Sequence, residues 1–154
     1  MKKIFFTLVC LLCTALLVDT TAFAVTVPKN TPVKVALKRH KSQRTISSAN
    51  QLNAVITKNV YVNGQKVFAK NTPAIIHVAL NDKAKFFCKG GTLILKGVTT
   101  TDVSGEEREL SLYKEFKGED APDNMKFLIF KKGQNVVLYP TDVMTAKVKK
   151  SFSL

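Results

Sequence analysis

The chain has 154 residues, 24 basic and 11 acidic side chains, a formal net charge of +13 and 45% apolar residues. That apolar share excludes a disordered polyelectrolyte, and the length suffices for one domain with a buried core. Three cysteines and two histidines exclude a disulfide-dense scaffold and leave little from which to build a zinc centre.

The chain opens with Lys2 and Lys3, then a mostly apolar run over Ile4–Val18, then Ala22-Phe23-Ala24. A positive start, an apolar segment and a small-x-small site make residues 1–24 a secretory signal peptide cleaved after Ala24, with Ala22 and Ala24 as the recognised pair. The competing reading is a membrane anchor, but the run stops at Asp19, short of the 18–20 or so apolar residues a spanning helix needs. A lipoprotein is disfavoured because Val9 and Leu12, which are not small, precede Cys10 and Cys13. Cleavage leaves Cys88 as a lone cysteine beside Phe86 and Phe87, so residues 25–154 form a single domain without an intramolecular disulfide.

The mature segment is strand throughout. Two stretches nearly repeat: Val27-Pro28-Lys29-Asn30-Thr31-Pro32-Val33 and Phe68-Ala69-Lys70-Asn71-Thr72-Pro73-Ala74 share Lys-Asn-Thr-Pro, and each leads into an alternating segment. Val33, Val35 and Leu37 share one face of the first strand. A polar connection spans Lys38 to Asn50. Strands follow at Leu52–Thr57 and Val60–Val62. Asn63-Gly64 is a hairpin signal for a type I′ turn, with Lys66–Phe68 returning antiparallel. Pro73 belongs at the start of a strand, because it has no N–H to give to a ladder, and Ala74–Leu80 follows it. Phe86–Cys88, Thr92–Val98 and Glu109–Tyr113 are further strands, with a turn over Val103–Glu106 and a polar loop over Gly118–Asn124. Phe127–Phe130, Val136–Tyr139 and Val143–Val148 complete the chain. A degenerate third copy of the entry, Leu138-Tyr139-Pro140-Thr141-Asp142-Val143, leads into the last of these. No ten-residue window keeps a helical period, so the expectation is an all-β barrel or sandwich of nine or ten short strands.

Charge is unevenly spread. Removing Lys2, Lys3 and Asp19 leaves 22 basic and 10 acidic residues, a net charge of +12. Residues 25–101 carry 13 of the basic residues and one acid, Asp82, whereas 102–123 carry eight acids. The densest basic run is Lys38-Arg39-His40-Lys41, with Arg44 close by. With Lys34 on the preceding strand, Lys34, Lys38, Arg39, Lys41 and Arg44 are the candidate anion-binding residues; the alternative is a solvated loop. No recognition-helix pattern and no stacking-aromatic signature accompanies the charge, so nucleic acid is not expected as a partner. The anions available to an exported chain are lipid headgroups, envelope polymers and acidic proteins. The acidic 102–123 stretch is either a solvated hairpin and loop or a partner for the basic surface of this chain or of a second copy.

No catalytic set is evident. His40, His77 and Cys88 share no ligand spacing, so no metal and no cofactor is expected. Ser residues lack a Gly-x-Ser-x-Gly elbow. Cys88 with His77 is a nucleophile–base pair in principle, and Lys85 and Lys89 would favour a thiolate, but Phe86 and Phe87 point to burial. Glu106, Glu107 and Glu109 lie beside a turn, where solvation is more natural than a desolvated acid.

Three elements in order carry a resemblance. They are the entry at Val27–Val33, the hairpin Thr57–Val67, and the second entry at Phe68–Ile75; the later segment Gly91–Val98 adds to them. Together they resemble the C-terminal β-barrel domain of TrbI-like proteins, the outer-membrane core components of conjugation and type IV secretion machines. Small exported β-proteins of unassigned role share the same entries. The resemblance implies a barrel, an envelope location and a tendency to associate, and it transfers no catalytic residue. TrbI-like proteins carry an inner-membrane helix, a long linker and a helical hairpin that crosses the outer membrane. This chain has no second long apolar run, so no transmembrane span and no pore are implied for the mature segment. The resulting expectation is a non-enzymatic protein of the periplasm or envelope, or one secreted beyond it, that contacts envelope proteins or copies of itself. The alternative is a module for an anionic envelope polymer or lipid headgroup.

Overall fold

The computed structural model describes residues 24–46, 51–85, 89–121 and 133–154. The expected signal peptide up to Phe23, the strand over Phe86–Cys88 with its lone cysteine, and the strand over Phe127–Phe130 lie outside the described residues. Among those described, the strands are β1 (Thr26–Val27), β2 (Pro32–Leu37), β3 (Lys41–Ser42), β4 (Gln51–Ile56), β5 (Val60–Val62), β6 (Gln65–Phe68), β7 (Pro73–Asp82), β8 (Thr92–Thr101), β9 (Glu107–Lys117), β10 (Val137–Leu138), β11 (Met144–Val148) and β12 (Phe152–Ser153). One 3-10 turn, Gln43–Thr45, interrupts the connection expected to be plain loop. No helix among the described residues is long and apolar enough to cross a membrane.

Six strands close into an antiparallel barrel in the order β11-β2-β4-β7-β8-β9. The all-β expectation holds, and of barrel and sandwich it is the barrel. Strand alternation fills the interior: Val33, Val35 and Leu37, then Leu52, Ala54 and Ile56, then Ala74, Ile76 and Val78, are all buried. On β8 the inward phase changes. Leu93 and Leu95 are buried, and after Gly97 so are Val98 and Thr100. The register against β9 shifts between Lys96 and Val98, and Gly97 takes φ +85. A bulge with its glycine in the left-handed region bends a strand and increases its twist, which a small closed barrel needs.

The repeated entries are one device used three times. Val27, Phe68 and Leu138 are buried anchors at the ends of β1, β6 and β10. Each of these belongs to a two-stranded ribbon, with β12, β5 and β3 respectively. A turn follows, of four residues in the first two copies and five in the third, and then a barrel strand. In the first copy the Thr31 N–H donates to the Pro28 carbonyl, and in the second Thr72 donates to Ala69, both at 3.3 Å. The third copy closes from Asp142 to Tyr139 at 3.0 Å, and the Asp142 carboxylate accepts the Tyr139 N–H. Asn30 and Asn71 take φ of 69° and 67°, the left-handed conformation that asparagine tolerates better than branched residues. Their N–H groups donate to Val148 and Ile56, and those two residues donate back to Thr31 and Thr72. Each turn therefore extends the ladder between its own strand and a neighbour, so the repeat supports barrel closure directly. Asn30→Ala and Asn71→Ala are each expected to lower stability by about 1 kcal/mol, with glycine near neutral at both sites. Chemical denaturation of the four variants checks this, and alanine variants as stable as the parent would contradict it.

The Asn63-Gly64 turn forms as expected, with φ of 49° and 80° between β5 and β6. Pro32 and Pro73 are the first residues of β2 and β7, where the missing N–H costs no ladder bond.

Candidate functional site

The outer wall carries the candidate anion-binding residues, and the fold separates them. Lys38, Arg39 and Lys41 converge with Asn53 around a depression of about 320 Å³. Lys38 follows β2 directly, and its N–H donates to the Asn53 carbonyl at 3.1 Å, which carries the β2–β4 ladder one residue further. Lys38 and Asn53 thus stand side by side, both exposed. Lys34 also faces outward on β2 but does not line this depression. Four residues of extended chain, about 13 Å, separate it from Lys38. Arg44 is exposed in the 3-10 turn and does not line it either. Of the five candidates the fold brings Lys38, Arg39 and Lys41 together with Asn53, while strand direction carries Lys34 along the wall and Arg44 stands in the 3-10 turn outside the depression. Among the described residues, no carboxylate lies within 4 Å of the Lys38, Arg39 or Lys41 charges, so these cations are free of ion pairs.

A larger groove of about 780 Å³ adjoins this cup and shares Lys38 and Asn53 with it. Its apolar surface comes from Val55, Pro73, Ile75 and Pro140, with the buried Ala36 at its floor, and Lys70 lines it as well. Ala36 pairs with Val55 across β2 and β4, and Val55 with Pro73 across β4 and β7. The apolar residues therefore form a stripe across the strands on the face where alternation would place polar side chains. Ile75, beside the stripe, is 39% exposed.

A third depression, about 390 Å³, contains His77, Thr99, Glu109, Ser111 and Lys149. The His77 Nε2 is hydrogen-bonded to the Thr99 hydroxyl at 2.8 Å. Lys149 donates to the Glu109 carboxylate at 2.7 Å, and that hydrogen bond with its charge holds Glu109 below the usual glutamate range. With His77 engaged by Thr99 and Glu109 by Lys149, no nucleophile–base hydrogen bond joins Ser111 to His77 among the described residues. Nor, among them, do three His, Cys, Asp or Glu side chains gather as a metal set.

The acidic stretch is largely internal to its own hairpin. Asp102 is buried in the β8–β9 turn and accepts from the Ser104 and Glu106 N–H groups and from Arg108 Nε at 2.7 Å. Arg108 also pairs with Glu106, and its guanidinium lies 4.0 Å from the centre of the Phe152 ring. Glu115 pairs with Lys117 at 3.3 Å, and Asp120 accepts the Gly90 N–H at 2.8 Å. Arg108 and Lys117 lie in the same stretch as the acids they pair with, and Glu106 and Glu115 stay exposed, whereas Glu109 reaches Lys149 just past the end of the barrel strand β11. Asp123 lies outside the described residues.

Asn53 and Lys70 were not among the residues singled out by sequence. Asn53 could have been, since it sits between Leu52 and Ala54 in an alternating strand and must face outward. Lys70 sits in the second entry turn, where the repeat supplies its place.

No protein-family model matches this chain, and neither a curated protein nor a solved structure matches it. The fold and site define a class: a small closed antiparallel barrel with a side-chain-filled interior, whose outer wall joins a cationic cup to an apolar groove.

Proposed function

We propose that this chain is a non-enzymatic, exported β-barrel of the cell envelope that works by contact, as an adaptor or structural piece for other envelope components or for copies of itself. The observation that carries the reading is the outer wall. The interior is packed with side chains, which leaves the contact surface as the place for function, and that wall presents apolar side chains with Lys38 and Lys70 beside them. The secretory pattern of residues 1–24 and the TrbI-like strand entries support an envelope location. The test is to recover the full chain from its own cell envelope and measure its absolute mass by light scattering at low and physiological salt. A defined multimer, or stoichiometric co-purification with an envelope component, is the expected result. A monomer that retains no envelope component would overturn the reading.

A second reading is favoured by a specific observation, the convergence of Lys38, Arg39 and Lys41 with no carboxylate paired to them among the described residues. In this reading the barrel binds an anionic envelope polymer or headgroup. Binding to a soluble polyphosphate is then expected to weaken as ionic strength rises toward 0.15 M, where the screening length is about 8 Å. Replacing the three cations with serine is expected to weaken it about ten- to a hundredfold, from roughly 0.5–1 kcal/mol per exposed ion pair. Salt-independent retention, or full binding by the triple variant, would remove this reading.

A further inference from the structure

The cup and the groove form one continuous surface. Lys38 and Asn53 border both, and the backbone bond between them fixes the junction. One side of the junction is cationic. The other is apolar over Val55, Pro73 and Ile75, and has the volume of an ordinary small-molecule site. A ligand that satisfies both ends carries a compact negative charge joined to a hydrocarbon chain.

We propose that this surface binds a single anionic lipid molecule. The phosphate sits among Lys38, Arg39 and Lys41, Asn53 hydrogen-bonds the ester region, and the first carbons of one acyl chain lie along the apolar stripe. The inference deepens the anion-binding reading and rests on it. Charge complementarity sets the anionic end. The closed barrel decides between a lipid and an acidic peptide. An extended peptide gains affinity by pairing its backbone with a free strand edge. Here β2, β4 and β7 are each paired on both sides, so the groove floor has no free ladder to give. A peptide lying there would leave its own N–H and C=O groups against apolar side chains, which is costly. An acyl chain has no such groups, and each buried methylene contributes about 0.8 kcal/mol.

The experiment is calorimetric titration of the exported chain, residues 25–154, with dioctanoyl phosphatidylglycerol below its micelle concentration. Dioctanoyl phosphatidylcholine, glycerophosphate, soluble polyphosphate and an acidic peptide are the comparisons. The anionic lipid is expected to bind at one site, about tenfold or more tighter than either the zwitterionic lipid or glycerophosphate. K38S/R39S/K41S is expected to lose that preference for the anionic lipid. Val55→Asn is expected to weaken the lipid about tenfold while leaving glycerophosphate unchanged. Both variants are compared at matched thermal stability, so that a folding defect is not mistaken for lost binding. Equal affinity for glycerophosphate would show that the groove is empty in the complex and overturn the proposal. Equal affinity for phosphatidylcholine would show that the cup is unused, and tighter binding of the peptide would show that the occupant is wrong; either overturns it too. Salt-sensitive polyphosphate binding without lipid binding would overturn the lipid proposal and leave the anion reading standing. Binding of neither would remove both.

Discussion

Gln43→Met is expected to destabilise the protein by about 2–4 kcal/mol, because a side chain of nearly conserved volume would remove three hydrogen bonds from a buried amide to backbone groups, one of them itself buried. Gln43 is fully buried at the barrel end where β7 stops and β8 starts. Its Nε2 donates to the Asp82 carbonyl at 2.8 Å and the Thr92 carbonyl at 2.9 Å, and its Oε1 accepts the Val136 N–H at 3.0 Å. The Gln43 N–H also donates to the Val136 carbonyl at 2.8 Å. One residue thus ties the 3-10 turn to two barrel strands and to the segment that enters β10. The site is close-packed: a β-carbon added at Gly91 would strike the Gln43 Oε1. Methionine fills the space without the hydrogen bonds, so the loss isolates polar pairing from cavity formation. Urea denaturation of the parent and the variant measures it. A loss under about 1 kcal/mol would mean that water replaces the amide and that this end of the barrel is open to solvent.

Asp102→Ala is expected to cost about 2–4 kcal/mol, the penalty for breaking a buried pair and leaving its donors unpaired. The carboxylate holds the Ser104 and Glu106 N–H groups and Arg108 Nε, and Arg108 in turn covers Phe152. Phe152 meets Phe68 edge-on at 6.3 Å, so the same small network seals the opposite end of the barrel. Burial pushes the Asp102 carboxyl upward, but the hydrogen bonds from Ser104, Arg108 and Glu106 outweigh it and hold the group below the ordinary aspartate range. Its contribution is therefore fully present above the unfolded-state pKa and is lost as pH falls through the lower folded value. Asp102→Asn keeps an acceptor but not the charge. It should be less stable than the parent at pH 7 and lose less on acidification. Denaturation curves from neutral pH down to about pH 3 test this, and parallel curves for the two proteins would show that Asp102 is not the group responsible.

These two residues also mark where sequence reasoning stops. In sequence, Gln43 is one polar residue in the connection from Lys38 to Asn50, and Asp102 is the first of eight acids ahead of a turn. Neither position alternates with apolar neighbours in a way that signals burial. Their burial follows from other parts of the chain closing over them: Val136 comes from 93 positions away to meet Gln43, and Phe152 packs beside Arg108. The short strands β1, β3 and β12 were missed for a related reason. Two residues carry no detectable period, and each strand exists only through a partner far along the chain. The change of phase at Gly97 also needed the structure, since Thr92–Val98 by itself fits one alternating strand.

By itself the sequence determined the all-β class, the Asn63-Gly64 hairpin, the places of Pro32 and Pro73 at strand starts, and the repeated entry. These follow from φ preferences, missing donors and period-two alternation, which act within a few residues. Only the tertiary structure decided that the strands close into a barrel and that Lys38, Arg39 and Lys41 meet Asn53 while Lys34 and Arg44 do not. It also decided that an apolar stripe continues from their cup. Those are neighbour relations between β2, β4 and β7, fixed by which ladders pair and in what register, and register is set by the whole closed sheet.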